Sequence, residues 1–163
     1  MKPEDREDGE GFFRDLGLNF RNPELLEFLA YWIAKRGARQ FPARADILPR
    51  EIIHLLPWVQ MYDVIEGGKE FQIRLEGTAL SKLIGSKTLC GKPLSTLPAG
   101  VFKRMQTALN WVLEARAPIR TDAAQTTIPG QERYGIEACF APLSDNGSDI
   151  NIIIAVSILE KHK

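Results

Sequence analysis

Side chains able to do chemistry are few in this chain, and their spacing suits little of it. The two histidines are His54 and His162. A metal cluster, a Cys–His pair or a Ser–His–Asp relay needs imidazole beside further ligands or a nucleophile, and neither position has such company. His54 therefore reads as a polar residue on the exposed side of a short helix rather than as a ligand or base. The two cysteines, Cys90 and Cys139, form no CxxC pair. They read as reduced, small packing residues rather than a bridge or a redox sensor. Gly67-Gly68 falls in an expected hairpin, and no Gly-Lys-Ser or Gly-Lys-Thr accompanies it as a phosphate loop requires. Asn146-Gly147-Ser148 has the form of a glycosylation acceptor, but Asn-Gly is first of all a hairpin turn. One acid–base set remains, Arg74 with Tyr134 and Glu137. Strand alternation sends Glu137 to the face opposite Tyr134, so the set is not expected to share a pocket, and a non-enzymatic protein is the expectation.

The bulk properties narrow the class further. A chain of 163 residues, 44% hydrophobic and 26% charged, has the size and composition of one soluble domain. Its 21 Lys and Arg balance 21 Asp and Glu, so no uniform positive field exists to hold a phosphate backbone, and no nucleic-acid partner is expected. Apolar runs such as Ile152 to Val156 are far shorter than the roughly 20 residues that span a bilayer. The polar N-terminus does not read as an export signal. No membrane association and a cytoplasmic location are the expectations.

The elements that must position any site can be read from period and punctuation. Residues 1–10 are acidic, carrying Glu4, Asp5, Glu7, Asp8 and Glu10, and read as a frayed, solvated end. Phe12 to Phe20 is apolar again. Asn22-Pro23 then opens a helix to about Lys35, closed by Gly37, with Leu25, Leu26, Phe28, Leu29, Trp32 and Ile33 in a wide stripe that needs a surface to cover it. A short helix is expected from Pro49 to Leu56. Trp58 to Ile65 is a strand, and after a turn Phe71, Ile73 and Leu75 alternate with Gln72, Arg74 and Glu76 in a half-buried second strand. Thr78 starts a short helix that Gly85 closes. Val101, Phe102, Met105, Leu109, Val112 and Leu113 repeat at helical spacing between Ala99 and Ala115. Three strands follow, Ile119 to Ile128, Glu132 to Leu143 and Ile150 to Ile158, joined by turns at Pro129-Gly130 and Asp145-Asn146-Gly147. The last is apolar on both sides, as a central strand would be.

In this order, and with the residues that punctuate it, the chain resembles a PAS domain over about Pro42 to Ser157. It is similar to a bacterial subfamily of stand-alone PAS proteins that open with Pro-x-Arg-x-Asp-Ile-x-Pro-x-Glu-Ile, matched by Pro42, Arg44, Asp46, Ile47, Pro49, Glu51 and Ile52, with Leu55, Leu56 and Pro57 continuing the match. Arg74-x-x-Gly77-Thr78, Gly91-Lys92-Pro93-Leu94 and Pro142-Leu143-Ser144-x-x-Gly147 add to it. The resemblance implies an α+β fold with a five-stranded antiparallel sheet in the order 2-1-5-4-3 and helices on one face. The N-terminal helix would lie on the back or at a dimer interface. The chain divides accordingly into residues 1–40, the acidic end and N-terminal helix, and residues 41–163, the PAS domain.

The same resemblance allows two cofactors to be weighed. Haem held by a histidine on the long helix is disfavoured, because residues 99–115 contain none. A flavin bound to cysteine is disfavoured too, since the position three after Gly91 is Leu94 and Cys90 lies on the wrong side. No cofactor is predicted. In such a fold a cavity would lie between the long helix and the inner sheet face. Ile73, Leu75, Tyr134, Ile136, Ala138 and Phe140 would face Phe102, Met105 and Leu109 across it, with Arg74, Thr78 and Tyr134 as polar handles. These side chains either line a ligand site or simply pack together. Arg74 either forks onto an anionic ligand or pairs with an acidic strand neighbour. Trp111 lies off the main stripe of its helix and either meets a partner or packs under the N-terminal segment.

The expectation is a sensory or regulatory module that binds an unidentified small molecule or signalling protein. Because so little chain follows the last strand, it would signal by association, as a homodimer through the N-terminal helix. A ligand-free interaction scaffold is the alternative, and a small enzyme built on Arg74, Tyr134 and Glu137 a remote one.

Overall fold

A strand apolar on both sides must have cover on both, and that requirement organises the molecule. The computed structural model describes residues 6–7, 11–85 and 89–161, so most of the acidic N-terminal stretch and His162 lie outside the described residues. In chain order the elements are β1 (Arg6–Glu7), β2 (Phe12–Asp15), α1 (Pro23–Arg36), β3 (Val59–Ile65), β4 (Glu70–Glu76), α2 (Thr78–Ile84), α3 (Ala99–Ala115), β5 (Ile119–Ala123), β6 (Tyr134–Leu143) and β7 (Ile152–Lys161), with single 3₁₀ turns between several of them. The described strands form one antiparallel sheet in the order β1-β2-β5-β6-β7-β3-β4. Strand β7 lies between β6 and β3, and Ile152 to Ser157 are all buried.

The run β4-β3-β7-β6-β5 is the order expected for five strands, but among the described residues the sheet has seven. The correction comes from the segment before α1. Phe12–Asp15 pairs along the outer edge of β5, which would otherwise present unpaired backbone groups to water. Arg6–Glu7 pairs in turn with β2, where a frayed end was expected. A four-residue strand is too short to declare itself by alternation. Its anchor is the Phe12 ring, stacked on Trp111 of α3 at 5.3 Å between centroids and 17° between planes. Trp111 thus packs under the N-terminal segment, the second of its two expected fates.

Helix α1 covers the outer face of the sheet in its own subunit. Leu25, Phe28 and Trp32 are buried there, and the Trp32 indole N–H donates to the Pro142 carbonyl of β6 at 2.9 Å. Burying three such side chains stabilises the docking by about 2 kcal/mol each. Leu26 and Ile33, on the far flank of the same stripe, remain exposed. Helices α2 and α3 occupy the inner face.

Three local expectations are corrected. The helix from Pro49 to Leu56 is instead a pair of 3₁₀ turns, Pro49–Glu51 and Leu56–Trp58, because prolines at both ends leave too little chain for an i→i−4 ladder. The strand from Ile119 ends at Ala123, and residues 124–133 form turns instead. Strand β4 does not alternate to its end: the register slips between Met61 and Tyr62, so that Tyr62 opposes Ile73 while Met61 opposes Leu75, leaving Arg74 as the extra residue of a bulge. Gly77 follows directly, where a Cβ would run into the Pro57 carbonyl. Among the described residues no helix is long and apolar enough to cross a membrane.

Candidate functional site

The bulge in β4 decides what faces the interior. With Arg74 looped out, both Arg74 and Leu75 are exposed, and Glu76, directly opposite Gln60, turns inward. The inner cleft that results lies between the sheet, α2, α3 and the turns after β5. Its empty volume is about 630 Å³ counting the mouth that opens to solvent, and the enclosed part has room for roughly four or five waters. Most of the wall is apolar, with Leu80 and Ile84 from α2, Val101 and Met105 from α3, and Ile136, Ala138 and Phe140 from β6.

Polar groups gather in two places. On β3, β4 and β7 are Gln60, Tyr62, Glu76 and Ser157. The Ser157 hydroxyl donates to Gln60 Oε1 at 3.0 Å, and the Tyr62 hydroxyl reaches Glu76 Oε2 at 3.4 Å, a long and weak bond. Among the described residues no cation lies within ion-pair distance of Glu76. Burial, partly offset by the Tyr62 hydroxyl, pushes the Glu76 carboxyl up to about 7. Burial likewise drives the Tyr62 phenol well above its ordinary value, so it stays a neutral donor. The second polar group belongs to the β5–β2 side: Thr121, Thr126, Thr127 and Arg104, whose guanidinium donates to the Gln125 carbonyl at 2.7 Å and lies over the Phe12 ring. Phe12 itself forms part of the wall, so β2 closes that end of the cleft.

Of the residues expected to line a pocket, Met105, Ile136, Ala138 and Phe140 are brought together here. Ile73 and Leu109 are fully buried in the core instead. Phe102 lines a second pocket beside β4 with Phe71 and Leu94, of about 430 Å³ counting its mouth. Arg74 is exposed and paired with Asp63 at 3.1 Å, the strand-neighbour outcome. Thr78 is exposed on the first turn of α2, and Tyr134 sits half-buried at the start of β6 under the Arg133 guanidinium. Glu137 lies on the outer face, away from both Arg74 and Tyr134. His54 is exposed, its Nε2 2.9 Å from the Glu27 carboxylate of α1.

Sequence reasoning missed Glu76, Tyr62, Gln60, Ser157, Phe12 and Arg104. Two of these left a readable sign: Gln60 and Ser157 are polar interruptions in strands otherwise apolar on both sides. Glu76 left none, because its inward turn depends on the bulge.

The outer face has its own buried carboxyl. Glu137, with no solvent exposure, accepts the backbone N–H groups of Arg21 and Asn22, the Asn22 side-chain amide at 2.7 Å and Arg120 Nε at 2.7 Å. Burial alone would raise its pKa, but these donors outweigh it and hold the carboxyl below the ordinary range. Arg120 also contacts Asp15 and Asp122, so one network pins the end of β2 and the start of α1 to the sheet.

Comparison with known proteins agrees with this architecture. A family model described as a PAS domain matches residues 20–156, most of the chain, from the turn before α1 into β7. No curated protein and no solved structure matches. With that match, the strand run β4-β3-β7-β6-β5 and a long helix across the inner face, the chain belongs to the PAS domain family.

Proposed function

We propose that the protein is a non-enzymatic, cytoplasmic regulatory module that takes a small molecule into the inner cleft and reports its presence through a change in association with a protein partner. The observation carrying this reading is the cleft itself, an apolar chamber that keeps a carboxyl out of bulk water with no cation among the described residues to pair it. Such a group is a cost to the fold, and binding sites are where such costs are kept. The size of the enclosed space favours a ligand of few heavy atoms. Self-association belongs to the same reading: α1 spends one flank on the sheet and leaves Leu26 and Ile33 for a second copy.

The test is mass spectrometry of the natively folded protein purified from its own host. The reading expects a bound mass that is lost on denaturation and is absent from Ala138→Trp, whose indole would fill the cleft. A native mass equal to that of the bare chain, with no small molecule raising the melting temperature, would favour a packed interaction scaffold instead. For self-association, solution mass with and without residues 1–40 is the measurement, and a monomer in both cases defeats that part.

A further inference from the structure

The polar end of the cleft is built to receive a hydrogen-bond donor and to reject an anion. Its acceptor is Glu76, whose one side-chain partner among the described residues is the long Tyr62 contact at 3.4 Å. The neighbouring Ser157 hydroxyl is already committed to Gln60. The titratable groups among the described lining residues are Tyr62, Glu76 and Arg104. Tyr62 is neutral, and Arg104, on α3, turns to the β5–β2 side, where it donates to the Gln125 carbonyl and lies over the Phe12 ring rather than pairing with Glu76. On α2, which packs beside Glu76, Ser81 donates to the Glu76 backbone carbonyl and Lys82 is exposed. No described neighbour therefore supplies the positive charge that a carboxylate in this position lacks, while Leu80, Ile84 and Met105 offer an apolar wall next to it.

We propose that the ligand of this cleft is a small amine, a short apolar body carrying an ammonium group that ion-pairs with Glu76 while its hydrocarbon part packs against Leu80, Ile84 and Met105. This rests on the cleft being a binding site. An ammonium brings the missing charge and up to three donors, and it is a better match for a buried carboxylate than a hydroxyl, which brings one donor and no charge. A carboxylate ligand would set two like charges together in a low-dielectric space.

The linkage follows from the carboxyl titrating near 7 in the free protein. Only ionised Glu76 pairs with the ammonium, and the ionised fraction rises about tenfold between pH 6 and pH 8. Amine affinity should rise by about the same factor over that interval. The affinity of an alcohol of equal length should not rise.

The experiment titrates n-butylammonium, n-butanol and n-butyrate into the full chain and follows backbone amide signals by NMR at both pH values. Expected are shifts centred on residues 60, 62, 76 and 157 with the amine, affinity about tenfold higher at pH 8 than at pH 6, weaker pH-independent binding of butanol, and no binding of butyrate. Glu76→Gln should lose tenfold or more of the amine affinity at pH 8 and keep the butanol response. Butyrate binding in the cleft as well as the amine does, or amine binding unchanged by pH or by the substitution, overturns the amine assignment and leaves the cleft a binding site. If none of the three probes moves those amides, the assignment and the reading it rests on both fall.

Discussion

Glu137 on β6 and Glu76 on β4 are carboxyls that one sheet withdraws from water, the first on its outer face and the second on its inner face. Glu137 is fully buried, yet it accepts four donors and stays ionised. Glu76 is partly exposed to the cleft, yet its carboxyl has one long contact among the described residues and sits near 7. Burial alone therefore does not separate structure from site in this molecule. The supply of partners does. A carboxylate whose lone pairs are filled by backbone N–H groups and a guanidinium holds elements together, here α1 and β2 against β5 and β6. A carboxyl left short of donors beside an open space has capacity to spare for something that arrives from outside.

The sharpest way to break this comparison is to remove the satisfied member. Glu137→Ala takes from buried Arg120 its closest carboxylate, leaving it the longer contacts with Asp15 and Asp122, and leaves the start of α1 without its acceptor, and should cost about 3–5 kcal/mol of stability by urea unfolding. The sign with pH follows from its lowered folded-state value: this stabilisation is fully present above the unfolded pKa and disappears as pH falls through the folded one. A loss below about 1 kcal/mol would mean the network is decoration.

Closure of the cleft by β2 comes next in size. Phe12→Ala removes the ring stacked on Trp111 and should cost about 3 kcal/mol, together with a rise in binding of a hydrophobic dye to the native protein. A fall in stability with no gain in dye binding would show that Phe12 packs the edge without shutting the chamber.

Removing the unsatisfied member should have the opposite sign. Because the folded-state pKa of Glu76 is raised from 4.5 to about 7, the protein binds this proton more tightly when folded. That contribution to stability is fully present below about 4.5 and is lost as pH rises through about 7. Glu76→Gln should therefore stabilise the protein by on the order of 2 kcal/mol at pH 8 and change little at pH 4.5. Destabilisation at pH 8 would reveal a partner for Glu76 that the account lacks. The smallest effect belongs to Arg74→Ala, which breaks an exposed pair with Asp63 and should change stability by no more than about 0.5 kcal/mol, with no effect on what enters the cleft.

How much of this could be read from the chain depends on the length scale that carries the signal. Helix α3 was legible to its ends, because Val101, Met105, Leu109 and Val112 repeat at helical spacing over 17 residues. The central place of β7 followed from apolar residues on both its faces. The outer-face cover was legible in the unmatched stripe of α1, and the separation of Glu137 from Tyr134 in simple parity. What stayed hidden were features set by only a few residues or by contacts between distant ones. Strand β2 is four residues long and owes its place to Trp111, about a hundred positions away. The bulge at Arg74 is a single extra residue that reverses the parity of everything after it, so unbroken alternation puts Leu75 inward and Glu76 outward while the fold does the reverse. Four of the expected lining residues, Met105, Ile136, Ala138 and Phe140, line the cleft because α3 and the middle of β6 are regular, whereas Arg74 and Thr78 lie beside the irregularity. The inner acid was therefore the least predictable part of the candidate site.

A side-chain carboxyl titration of the free protein by carbon-13 NMR reads both carboxyls in one sample. The account predicts that the Glu76 signal moves with a midpoint near 7, while Glu137 remains ionised to well below the ordinary carboxylate range. A Glu76 midpoint close to 4.5, among the surface glutamates, would contradict it: the inner carboxyl would then be as well served by its neighbours or by water as any other.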